Sequence, residues 1–62
     1  MERPEGYEKV IESITKNLVD FGYVGLPESE VLESYDRAIN GQDPQGIIDM
    51  FVKGQLEENG LL

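Results

Sequence analysis

The residues with the clearest potential for chemistry surround the Asn40-Gly41 pair, and Asp36 lies four positions before it. An EF-hand calcium loop needs oxygen ligands at its first, third and fifth positions, glycine at the sixth and glutamate at the twelfth. Counted from Asp36, the fifth and sixth positions fit, but the third is Ala38 and the twelfth is Ile47. A calcium loop here would lack two of its four side-chain ligands, so a weak divalent-cation or small-ligand site is the most that this stretch supports.

The same stretch is fully explained as a joint between two helices. Asn40-Gly41 is typical of a helix C-terminus, where glycine takes the left-handed conformation. Asp43-Pro44 is typical of a helix start, with aspartate as the N-cap and proline at the first helical position. We therefore predict a joint that holds no metal and no cofactor.

Other catalytic chemistry has little support. The 62 residues include no cysteine and no histidine, which excludes disulfides, zinc-finger spacings and Cys/His nucleophiles. A carboxylate pair or a Ser/Lys arrangement would need a pocket that excludes water, and three short helices scarcely enclose one. Gly22 and Gly25 are not followed by the basic and hydroxyl residues of a phosphate-binding loop. We expect the chain not to be an enzyme.

Hydrophobic periodicity predicts the elements that position these residues. Apolar residues at i, i+3, i+4 and i+7 recur over 7–21 and over 28–39, and each segment ends at a glycine or an Asn-Gly pair. Pro27 and Ser29 suit the start of the second helix, by a preset φ and by side-chain capping. We expect the apolar connection between these helices to fold over the core. The sequence predicts an all-α fold, a small three-helix bundle of one domain, with helices near 7–21, 28–39 and 44–58 and with residues 1–5 frayed.

Charge spacing supports the helices independently. Four of the five bases follow an acid by four residues, the favourable orientation on a helix. These predicted pairs are Glu5–Lys9, Glu12–Lys16, Glu33–Arg37 and Asp49–Lys53.

Overall charge limits the classes of partner. Thirteen acids against five bases give a net charge of −8, which argues against direct binding to nucleic acid or to anionic membranes. The charge favours solubility through solvated helix faces or, if it is used in binding, a protein partner that is basic. No apolar stretch approaches the roughly 20 residues of a membrane span. The N-terminus lacks the pattern of an export signal and cysteine is absent, so the cytoplasm is the expected compartment.

The third predicted helix is apolar around most of its circumference, leaving a narrow polar strip that begins at Asp49. The excess apolar residues could cover the preceding loop, complete a monomer core or face a second chain. A glycine inside a helix often marks a close helix approach, although a frayed last turn would also explain Gly54. We predict a protein–protein interaction module or regulator, homodimeric through helix 3. The candidate interface residues are Met50, Val52, Gly54 and Leu56.

An alternative function follows from the acids of the second helix. Glu28, Glu30, Glu33 and Asp36 could form an acidic face that imitates nucleic acid and blocks a basic groove. Such mimicry should need a longer and more continuous stripe of acids than this helix offers.

Overall fold

The computed structural model describes residues 3–62, which form a bundle of three helices: α1 Tyr7–Asp20, α2 Glu28–Ile39 and α3 Ile47–Glu58. Helix α2 packs against both other helices, and more extensively against α3 than against α1. Within residues 3–62 there is no strand. The predicted all-α three-helix bundle is therefore confirmed.

The core forms where the apolar stripes of the three helices meet. Burying each large apolar side chain contributes about 1.5–3 kcal/mol, before the cost of ordering the chain is counted. The buried apolar residues are Ile11, Ile14 and Leu18 from α1, Val31, Tyr35 and Ala38 from α2, and Val52 and Leu56 from α3.

The joint between α2 and α3 begins with a Schellman motif. Gly41 has a left-handed φ of 75°, its amide donates to the carbonyl of Ala38, and the Gln42 amide donates to the carbonyl of Arg37. Glycine is needed here because other residues reach this φ only with strain. The same pair of hydrogen bonds closes α1 and α3, through the amides of Tyr23 and Leu61. The end of α2 that the sequence predicted is confirmed.

Helix α3 begins at Ile47, three residues later than the predicted 44. Asp43 does not cap the helix and Pro44 does not open it, since both are exposed residues outside the helix. The reason is Asp49, whose Oδ2 accepts the Gln45 amide at 3.0 Å. A side chain of the first turn thus reaches back past the start of the helix, much as the acid of a capping box does.

Two smaller predictions are corrected near α1 and α2. Ser29 makes no capping hydrogen bond at the start of α2. In the α1–α2 connection only Leu26 packs against the core, whereas Val24 is 74% exposed and Tyr23 36% exposed, so the loop does not fold down over the core. The side chain of Arg3 is held against α2 by its hydrogen bonds to Asp36. Residues 1 and 2 of the segment predicted to be frayed lie outside the described range.

Tyr35 leads to a prediction about stability. Its ring is fully buried, and its hydroxyl oxygen has no hydrogen-bond partner within residues 3–62. Burial raises the pKa of this phenol. An unpaired buried hydroxyl costs free energy, so Tyr35→Phe should leave the free energy of unfolding unchanged or raise it by up to about 1 kcal/mol. Urea unfolding followed by circular dichroism measures this, with Tyr23→Phe as the surface control. A loss above about 1 kcal/mol in the Tyr35 variant alone would mean that the hydroxyl is hydrogen-bonded in solution.

Candidate functional site

A largely buried polar cluster of Ser34, Arg37 and Asp49 lies between α2 and α3. The guanidinium of Arg37 donates from Nε to Oδ2 and from Nη2 to Oδ1 of Asp49, each at 2.8 Å. The Ser34 hydroxyl donates a short hydrogen bond to the same Oδ1. With the Gln45 amide, four donor groups contact one carboxylate, which is buried.

The electrostatics of this cluster favour an ionised Asp49 at neutral pH. The hydrogen bonds from Arg37 lower the pKa of the Asp49 carboxyl furthest, Ser34 and the Gln45 amide add to the effect, and burial opposes it. The same contact raises the pKa of Arg37. A catalytic acid or base needs a pKa near the working pH and access to a substrate. The space around the cluster has no room even for a water molecule, so we read the cluster as a structural link between two helices.

A second ion pair occupies Asp36, the first position of the candidate calcium loop. The guanidinium of Arg3 donates to both carboxylate oxygens, at 3.0 and 2.8 Å, and lies 5.2 Å from the ring centroid of Tyr7. This contact lowers the pKa of the Asp36 carboxyl. Asn40, the fifth loop position, donates to the backbone carbonyl of Asp36 at 2.8 Å. Both candidate ligands are thus engaged within the protein, and in the part of the chain from residue 3 onward no three Asp or Glu side chains are close enough together to hold a metal ion.

The predicted interface residues of α3 fall on two opposite sides of the helix. Val52 and Leu56 are completely buried in the core, where they face α1 and α2, so they cannot contact a partner on the folded chain. Met50 is 65% exposed, and Gly54 is exposed as well. The prediction of Val52 and Leu56 as interface residues is therefore corrected, because the core needs them.

An exposed apolar strip runs along the outer side of α3. At about 100° per residue its members lie within roughly 100° of one another on the helix. We call it the α3 strip, and it consists of Ile47, Met50, Phe51 and Gly54. Ile47 is 70% exposed, whereas Phe51 is half-buried. A Cβ added at Gly54 would meet nothing within 4 Å, so this glycine is not required by packing within the chain.

Phe21 extends the α3 strip across to the end of α1. Its ring is 70% exposed and meets the edge of Phe51 in a T-shaped contact, with ring centroids 5.3 Å apart. Sequence reasoning placed Phe21 in the buried stripe of helix 1, and it missed Ile47 and Phe51 as surface residues. The signal was present in the apolar circumference of helix 3, which is wider than one core can cover.

The four acids of the candidate acidic face do not form one surface. At about 100° per residue, positions 28, 30, 33 and 36 spread over roughly 200° of α2. Glu28, Glu30 and Glu33 are exposed, but Asp36 is neutralised by Arg3. Glu28 instead lines a groove between α1 and α2, together with Glu8 and Glu12.

Comparisons with known proteins gave no match: no family model, no curated protein and no solved structure resembles the chain closely enough to be significant. Within residues 3–62, the structure has no helix long and apolar enough to cross a bilayer.

The buried cluster predicts how stability changes with pH. The pKa of Asp49 is lower in the folded state than in the unfolded state. The stability that its carboxylate contributes is therefore fully present above the ordinary aspartate pKa of about 3.9 and is lost as the pH falls below that value. Asp49→Asn should lower the free energy of unfolding by about 2 kcal/mol at pH 7, since charge-assisted hydrogen bonds are lost. The gap between variant and wild type should shrink between about pH 4 and pH 2.

Urea unfolding at pH 7, 4, 3 and 2 measures this gap. Glu57→Gln is the matched control, because it removes an exposed carboxylate from the same helix; its difference from wild type should stay small at every pH. A gap for Asp49→Asn that does not change with pH would contradict an ionised Asp49 in the folded protein.

Proposed function

We propose that this chain is a non-enzymatic protein–protein interaction module or regulator that forms a homodimer through the α3 strip. The observation that carries the proposal is the exposure of large apolar side chains on one side of α3. Ile47, Met50 and Phe21 are each 65–70% exposed, and contiguous apolar surface of this kind is typical of interaction sites. Expected in the cytoplasm, such a module would act by binding proteins.

A second copy of the chain is the occupant that fits the α3 strip best. The strip has no ionisable side chain, so nothing in it selects a charged partner. In a two-fold dimer each residue of the strip is used twice, which doubles the apolar surface removed from water. The exposed Gly54 is the C-terminal member of the strip, and a small residue there lets two helix backbones approach closely. A 62-residue chain without a disulfide also gains stability from a partner subunit.

The charge of the chain sets how the dimer should respond to salt. Each copy has a net charge of −8, so two copies repel one another at low ionic strength. Salt screens this repulsion over about 10 Å at 0.1 M and strengthens burial of apolar surface only modestly. Homodimer formation should therefore become stronger as salt is added.

The two aspartates with lowered pKa values, Asp36 and Asp49, support a binding role over catalysis, because both are occupied by contacts within the protein. Asp36 and Asp49 are each held by a bidentate arginine, so their carboxylates serve the fold. No particular observation favours imitation of nucleic acid, because the acids of α2 point in different directions and one of them is paired.

The dimer proposal predicts the effect of charged substitutions on the α3 strip. Met50→Asp places a carboxylate in the apolar contact twice, once from each copy, and should raise the dimer dissociation constant by at least about 100-fold. Size exclusion with light scattering should show twice the 7.0 kDa chain mass for wild type and the single chain mass for the variant.

The matched control is Leu62→Asp, which adds the same charge at an exposed apolar residue outside the strip. It should leave the dimer nearly unchanged, and circular dichroism should show all three proteins folded. Wild type that stays monomeric at both low and high salt would contradict the proposal, as would equal weakening by the two substitutions.

Gly54 provides a test in which folding and association change in opposite directions. Gly54→Ala should raise the free energy of unfolding of the monomer by up to about 1 kcal/mol, since the added methyl group meets nothing and alanine favours helix. In the dimer the same methyl group should separate the two helices and raise the dissociation constant. Unfolding of dilute protein and sedimentation at several concentrations measure the two effects. A more stable monomer with unchanged association would mean that the two copies do not meet at Gly54.

A further inference from the structure

A groove lies between α1 and the start of α2, away from the α3 strip. We call it the α1/α2 groove. Its volume is about 680 Å³, within the range of about 300–1,000 Å³ that is usual for binding sites. The floor is apolar and is formed by Tyr7, Ile11, Leu26 and Leu32. Ile11 belongs to the buried core, and the other three are half-buried, so apolar surface stays accessible along the groove.

Acidic side chains dominate the rim of the α1/α2 groove. Glu8 and Glu12 stand one helical turn apart on α1, and Glu28 faces them from the start of α2. Lys16 is the one cation among the lining residues. All four of these side chains are exposed, and none of them is in an ion pair within residues 3–62. Unlike Asp36 and Asp49, these rim residues are therefore not joined by an ion pair to another described part of the chain.

Charge decides what kind of molecule this groove fits. A second copy of the chain is a poor occupant, because it would bring its own excess of acids toward three carboxylates. A nucleic acid is disfavoured for the same reason. A partner with apolar residues along its centre and Lys or Arg on both sides would instead match the floor and the rim together.

We propose that the α1/α2 groove binds a cationic amphipathic helix of a partner protein. Apolar side chains of that helix, spaced at i, i+3 or i+4 and i+7, would lie on Leu26, Leu32 and Tyr7, as in other helix-in-groove complexes. Its Lys or Arg side chains would reach Glu8 and Glu12 on one side and Glu28 on the other. The net charge of −8 attracts such a helix from a distance and raises the association rate.

This inference rests on the proposed role as an interaction module and names the partner class, but it does not depend on the homodimer. The two surfaces also respond oppositely to ionic strength, since salt weakens attraction between an acidic rim and a basic helix. Binding of a peptide in the groove and the mass of the chain in solution are separate measurements. Failure of one proposal is therefore distinguishable from failure of the other.

The first experiment measures binding of three designed peptides by fluorescence anisotropy at low and high salt. The first peptide is helical, with Leu at i, i+3, i+4 and i+7 and Lys elsewhere. The second has Glu in place of Lys, and the third has the composition of the first in an order that lacks an apolar stripe. We expect the first to bind most tightly, more weakly at high salt, and the second not to bind. Equal binding of the first and third peptides would overturn the proposal, because bulk charge would then be sufficient.

Matched variants locate the site on the chain. The double variant Glu8→Gln with Glu12→Gln should weaken binding of the first peptide about tenfold at low salt. The double variant Asp43→Asn with Glu57→Gln changes the net charge equally, at exposed residues outside the groove, and should have little effect. Chemical shift changes on titration with the first peptide should concentrate at Tyr7 and Leu32. Equal effects of the two double variants, or shift changes concentrated at Ile47 and Met50, would overturn the proposal.

Discussion

A single buried carboxylate fixes how α3 sits in the bundle. Asp49 accepts hydrogen bonds from Ser34 and Arg37 of α2 and from the amide of Gln45. Burying an ionised carboxylate is costly unless all of its oxygens are satisfied, so α3 can present only the side on which Asp49 meets those donors. Val52 and Leu56 share that side and are drawn into the core. The rotation of α3 about its own axis is thus set by a polar contact, because both sides of the helix are apolar.

This constraint explains why the sequence predicted the helices well and the surface of α3 poorly. Apolar spacing, together with a glycine or an Asn-Gly pair such as Asn40-Gly41 after a segment, indicated three helices. Two of the helices were predicted to within about one residue of their observed bounds. The start of α3 depends on a hydrogen bond from the Gln45 amide to the Asp49 carboxylate, whereas propensity alone favoured Asp43-Pro44. The orientation of α3 depends on a contact between α2 and α3, which periodicity along one helix does not encode.

One signal for the buried cluster was present in the sequence. Ser34 lies at the edge of the buried arc of α2, next to Ala38 and followed around the helix by Val31 and Tyr35. A buried polar residue needs a hydrogen-bond partner, so Ser34 indicated a polar contact in the core. For Asp49, the base four residues later had instead suggested a pair with Lys53 along the same helix. The observed ion pairs, Arg3–Asp36 and Arg37–Asp49, instead join different parts of the chain. Such long-range pairing is decided by the fold, so i, i+4 spacing supported the helices but did not identify the partners.

The two ion pairs also determine how charge is distributed, and the surface includes one uncharged apolar region and one apolar region with an acidic rim. The arginines are consumed by contacts within the protein, at Asp36 and Asp49, so the remaining acids have few cations to offset them. The four residues of the α3 strip carry no ionisable group, whereas the α1/α2 groove is edged by Glu8, Glu12 and Glu28. An uncharged apolar surface can meet its own copy, while an apolar groove with an acidic rim repels that copy and attracts a basic helix. Because the two surfaces lie on different helices, a dimer joined through α3 would leave both of its grooves open to partners.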